Sequence, residues 1–296
     1  MKGVDAKVEL IAELDRLSGD RTALQAPRTA QLYRYLAGAQ TGTGIELATH
    51  LILRLGVWWS PAAYAQLPVM TPWCVRDRSC RYDQGPEAWG APRDDGFLRD
   101  DNSIIKKLPL PVVMRGPAGH PFTGQKPWRG FTACHIWRDL PGGRVAGEDP
   151  WLYSFMPNLV WLPTWLAPLT DRQASPVQAL LQRTSLELFR HQPVRPEVAS
   201  FARRAWDELD VPGAGPVLPL DQLVFFEPHA DFFKRRITYL SKFVDGCDAV
   251  LAGGGLSKKL ICTRYTEGLP ALRAEAVASF RDQLAGYRDA AMIATA

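Results

Sequence analysis

The sequence predicts an α+β protein, mostly helical, with a small ββα element embedded among the helices. Three observations lead there. Apolar residues recur at helical spacing in stretches spread along the chain. Two short apolar runs, Phe131–Trp137 and Leu159–Leu162, flank a turn-rich loop containing Pro141, Gly142 and Gly143. The 296 residues are 46% hydrophobic and 22% charged, which supplies a sizeable core and argues against disorder over most of the length.

From the N-terminal side, Asp5–Leu17 carries Val8, Leu10, Ile11, Leu14 and Leu17 at helical spacing, and Asp5 is a candidate cap. Thr29–Ala37 and Gly44–Leu55 also read as helices. The second of these is compatible with a helix-turn-helix, but its apolar stripe fits a helical hairpin on the core better. Tyr64–Asn102, rich in Pro, Gly, Asp and Arg, reads as a long irregular segment or extended surface loop. Pro176–Arg190 is a helix with Ser175 as N-cap and Pro176 in the first position. Helices follow over Glu197–Leu209, Asp231–Val244 and Leu269–Ala290, with a Pro/Gly linker at Val211–Pro219. The expected organisation is a helical N-terminal region with a long loop (1–103), the ββα core with its following helix (104–192), and a helical C-terminal region (193–296).

The stretch that carries chemistry begins at Trp128-Arg-Gly-Phe-Thr-Ala-Cys-His-Ile-Trp, which sets His135 near a strand end. After the loop Arg138–Pro150, Pro157-Asn-Leu-Val-Trp-Leu-Pro starts a second strand with Asn158 at its head. Thr164–Asp171 then reads as a helix. Singly, His135 can be a core histidine, Asn158 a turn residue and Asp171 a surface charge. Together, in this order, they resemble the HNH (ββα-metal) endonuclease family, of the restriction or defence kind.

That resemblance implies His135 as general base on a water and Asn158 as the residue that fixes the loop and the histidine ring. It also implies a divalent metal held by Asp171 and by Cys134, the residue before the histidine. Oxygen ligands suit Mg2+ or Mn2+, and a thiolate would favour Zn2+. Ala167 stands where the family usually places a His or Asn ligand, and Pro168 falls inside the expected helix. Loop carboxylates Asp139, Glu148 and Asp149 are alternative ligands. The implied activity is metal-dependent hydrolysis of DNA; the alternative is a non-catalytic nucleic-acid-binding or structural protein on the same scaffold.

The net charge of +4 permits nucleic-acid binding without requiring it. Lys234, Arg235, Arg236 and Lys242, on a helix with Phe232, Phe233 and Tyr239, are candidate DNA contacts, as is Arg138. Five cysteines at irregular spacing build no disulfide framework and fit a reducing compartment. Cys74 and Cys80 lack the two-residue spacing usual for zinc. Met1–Leu10 has no apolar signal region and no run is long enough for a membrane span, so a cytoplasmic protein is expected. DNA is the expected partner, and a second copy of the chain, giving a homodimer, is a further one. Gly253-Gly-Gly-Leu-Ser-Lys-Lys lacks P-loop spacing, and no Gly-x-Ser-x-Gly elbow is present.

Overall fold

A computed structural model describes residues 3–18, 42–77, 92–100, 102–170, 175–257 and 266–295. The predicted helix Thr29–Ala37, Asp171, Cys80, Cys262, Lys258 and Lys259 lie outside the described residues.

The N-terminal strand β1 (Val4–Asp5) runs into α1 (Ala6–Ser18), where the Asp5 carboxylate accepts from the Lys7 N–H at 3.1 Å, as its capping position predicts. Helix α2 (Gly42–Leu55) buries Ala48, Leu51, Ile52 and Leu55. Its apolar stripe therefore packs on the core, while the preceding predicted helix, Thr29–Ala37, lies outside the described residues. The central feature is a five-stranded mixed sheet made of β2 (Val57–Trp59), β5 (Val113–Arg115), β7 (Phe131–His135), β8 (Leu159–Pro163) and β9 (Val224–Glu227). Its order is β5-β9-β2-β8-β7, with β2 and β9 parallel and the other neighbours antiparallel. The predicted strand pair is the β7–β8 edge of this sheet, in the register Phe131↔Pro163 to His135↔Leu159.

The sheet draws a strand from each of the three predicted regions, and one apolar core runs through all of them. Beneath it Trp59, Trp161 and Phe226 pack edge to face or tilted, with ring centroids 5.3–5.7 Å apart. Strands β2 and β9 are too short for their alternation to be read from sequence.

Two expectations are corrected. Tyr64–Asn102 is not a surface loop where it is described. It holds α3 (Pro61–Gln66, beginning before it), and a parallel pair formed by β3 (Cys74–Arg76) and β4 (Leu98–Asp100), with Leu67, Val69, Met70, Trp73, Cys74 and Val75 buried. The Tyr287 hydroxyl anchors this stretch by donating to Val69 O at 2.7 Å and accepting from its N–H at 2.9 Å. The segment after β8 is not an α-helix. It is a turn followed by a single 3-10 turn, Ala167–Leu169, because Pro168 has no N–H to continue a helical ladder.

Apart from short 3-10 turns, the other described elements are α4 (Ser103–Lys107), β6 (Pro127–Arg129, paired with β1) and α5 (Pro150–Tyr153). Then follow α6 (Pro176–Phe189), α7 (Ala199–Asp207), α8 (Ala230–Leu251) and α9 (Ala274–Ala294). The Ser175 hydroxyl accepts from Gln178 N–H at 3.1 Å and caps α6 as predicted. No helix among the described residues is long and apolar enough to cross a membrane.

Candidate functional site

His135 ends β7 and is 8% exposed. Its Nε2 lies 2.9 Å from the carbonyl oxygen of Tyr153, on α5, and the two rings stack with centroids 5.6 Å apart. A carbonyl only accepts, so Nε2 carries the proton and Nδ1 holds the lone pair. Among the described residues Nδ1 has no hydrogen-bond partner. Burial, together with the Arg76 charge, pushes the ring pKa down to about 4, against a smaller upward effect of the Tyr153 carbonyl. The ring is therefore neutral at pH 7. Tyr153 is itself fixed: its hydroxyl donates to Asp100 at 2.6 Å, and the same buried carboxylate accepts from Ser103 Oγ and Ile104 N–H at the start of α4.

Asn158 is fully buried and bridges the two ends of the loop. Its Oδ1 accepts from Trp137 N–H at 2.7 Å, two residues past His135, and its Nδ2 donates to Leu152 O at 3.2 Å, one residue before Tyr153. One amide thus ties the strand end that carries the histidine to the helix turn whose carbonyl orients it. Helix α6 braces the same place, with Gln178 Nε2 donating to Ile136 O at 3.2 Å and Ser185 Oγ to Pro157 O at 2.5 Å. The helix that braces the hairpin end is therefore α6.

His135 lines a small pocket of about 150 Å3 shared with Arg76, Asn102, Cys134, Arg138 and Thr170. Arg76 comes from the end of β3 and Arg138 from the loop. Gly147 allows that loop to come close, since a Cβ there would sit 3.3 Å from Cβ of Arg76. Asn102, at the start of α4, is the one described non-glycine residue with positive φ (75°), and its buried Oδ1 finds no donor among the described residues. Such a conformation costs energy and is held by its surroundings. Ala167 and Thr170 are part of the same wall, so the described end of the segment after β8 borders the histidine pocket.

The ligand set is another matter. The Cys134 thiol lies 3.5 Å from Thr132 O, and successive strand residues project to opposite faces, although both Cys134 and His135 border the pocket. The backbone of Asp139 bridges to Val145 across the loop, and the Asp149 carboxylate accepts from Trp151 and Leu152 N–H as the cap of α5. Among the described residues no three His, Cys, Asp or Glu side chains form a cluster able to hold a metal. The described lining includes two arginines and a neutral imidazole.

The basic helix divides. Lys234 and Arg235 are exposed on α8, and Lys242 is half-buried. Arg236 instead folds over the rings of Tyr239 and Phe232, 5.0 and 5.6 Å from their centroids, and burial lowers its pKa. Adjacent helical residues are about 100° apart, so the run cannot present three cations on one face. Sequence reasoning missed Arg76, Asp100, Asn102 and Tyr153. Only Asp100, three residues before Ser103 at a helix start, carried a local signal. No protein family, curated protein or solved structure matches this chain.

Proposed function

We propose that the protein is an endonuclease-like phosphodiesterase acting on DNA, with the scissile phosphate in the pocket of Arg76 and Arg138 and His135 as general base. The observation that carries this reading is the Asn158 clamp. It fixes the carbonyl that holds the proton on Nε2, which leaves the Nδ1 lone pair for a water at the arginine-lined pocket. In the step, Nδ1 takes the proton of a water as its oxygen bonds to phosphorus. The bond from phosphorus to the leaving oxygen breaks, and that oxygen takes a proton from solvent. The guanidinium groups stabilise the charge that develops on the phosphoryl oxygens. A bound phosphate would offset the Arg76 charge, the smallest of the causes that act on the ring, while burial, the largest, keeps its basicity low.

The resemblance also proposes a divalent ion, Mg2+ or Mn2+ at Asp171, or Zn2+ with Cys134. Such an ion would relieve charge on the leaving oxygen. The described donors do not compose a cation site by themselves, so no step is assigned to it. Arg76 and the low pKa of His135 favour one second reading, a protein that binds nucleic-acid phosphate without cleaving it.

The test is plasmid cleavage by the full chain with Mg2+, Mn2+ or Zn2+. His135→Ala is expected to slow nicking by about a hundredfold or more while circular dichroism and DNA affinity stay as in the parent. Cleavage at the parent rate by the variant removes His135 as base. DNA binding without cleavage under every metal supports the second reading.

A further inference from the structure

A second and larger cleft opens beside the histidine pocket, between α4 and the β6–β7 turn. Its volume is about 560 Å3, and it shares Asn102 and Thr132 with that pocket, so the two have a wall in common. Lys106 and Lys107, both exposed, stand on one rim. Trp128 and Arg129 stand on the other, with the guanidinium 4.0 Å from the indole centroid and Trp128 40% exposed. Arg129 also pairs with Asp5, whereas no carboxylate is among the described residues lining the cleft.

Two buried polar atoms belong to residues of its wall and find no partner among the described residues: Trp161 Nε1, a donor, and Asn102 Oδ1, an acceptor. Buried polar atoms in folded proteins are nearly always paired, and an exception calls for an explanation.

We infer that this cleft receives an unpaired nucleobase of a nucleic-acid strand, stacked on Trp128, with flanking phosphates held by Lys106, Lys107 and Arg129. An indole at the rim beside cations is how proteins hold single strands, because every base has a π-face and every nucleotide a phosphate. The unpaired donor and acceptor are what a base edge can satisfy, and neither an acyl chain nor a bare phosphate could use both. The position, sharing a wall with the histidine pocket, puts this base next to the phosphate proposed for cleavage. The inference thus deepens the nuclease reading and rests on it for that placement alone.

The experiment measures binding by the full chain, without added metal, of a fluorescein-labelled oligo-dT hexamer, the same strand built wholly of abasic sites, and free thymidine 5′-monophosphate. The parent is expected to bind the hexamer about tenfold more tightly than the abasic strand, the size of one stacking contact. Trp128→Ala should erase that difference and leave abasic binding unchanged. Asn102→Gly, which keeps the left-handed backbone, should reduce discrimination among hexamers of different base. Equal affinity of the parent for hexamer and abasic strand overturns the proposal. So does an equal loss for both strands in Trp128→Ala, and so does a free nucleotide that binds as tightly as the hexamer. Because no bond is cleaved, the outcome is separable from the nuclease test. Base-dependent binding with a fully active His135→Ala variant would retain the cleft and remove His135 as base.

Discussion

At the scale of the residue, Asn158 does more than open a strand. Both ends of its amide are used inside a fully buried site, one on Trp137 N–H and one on Leu152 O. Removing the amide strands both backbone groups away from water, which costs about 1–3 kcal/mol for each unpaired group. Asn158→Ala is therefore expected to lower the unfolding free energy by about 2–5 kcal/mol and to disturb the ring of His135. The measurements are urea unfolding and the imidazole NMR signals. A variant with parent-like stability and an unmoved His135 resonance would show that Tyr153 and α6 hold the ring without the clamp. The place of Asn158 at the head of a strand was legible in sequence because it depends on residue types that are local to the chain. The carbonyl partner was not legible, since any residue could supply a backbone oxygen at Tyr153, and only the path of the loop decides which one does.

At the scale of the element, the periodic helices were readable, and so was the β7–β8 pair. The stripes of the helices and the short apolar runs of the two strands are local properties, as Leu180, Leu181 and Leu188 on α6 illustrate, all buried. What failed was short or lacked a period. Strand β9 has four residues, and Leu67–Val75 is a buried stretch whose prolines and mixed composition mimic a loop. Helix α8 shows the same limit in charge. Lys234, Arg235 and Arg236 are one run in sequence and two surfaces in space. Charge reversal at Lys234 and Arg235 should weaken DNA binding for every sequence and flatten its salt dependence, because phosphate contacts release counterions. Arg236→Ala should instead lower stability through lost packing on Phe232 and Tyr239. Affinity measured at several salt concentrations, alongside thermal unfolding, separates the two. An unchanged salt slope in the double reversal would assign this face of α8 to no nucleic-acid contact.

At the scale of the whole molecule, the buried histidine couples the candidate site to global stability. The ring titrates near pH 4 in the folded chain against 6.5 for an ordinary histidine. Between those values the unfolded chain binds the extra proton and the folded chain does not, so stability rises with pH across this window. Above 6.5 both states leave the ring neutral and the term vanishes. As the pH falls from 6.5 through 4, stability is lost, on the order of 3 kcal/mol in total. His120, with Nε2 3.2 Å from Arg54 O and a pKa lowered by burial, acts in the same direction. The Glu13 carboxyl, held down to about 2 by the Arg16 guanidinium and by His50 against its own burial, contributes in a lower window, lost as pH falls from 4.5 through 2. The expectation is a stability curve with one slope between pH 6.5 and 4 and a further one below. His135→Gln should flatten the upper slope and spare the lower one, whereas Glu13→Gln should do the reverse. Urea unfolding at half-unit pH steps reads both slopes, which depend on proton uptake and not on the absolute stability of each variant. If His135→Gln keeps the parent's slope, the ring is protonated or solvated in the folded state. It would then be an ordinary surface-like histidine, and the proposed role of its neutral ring as a base would be lost together with the coupling.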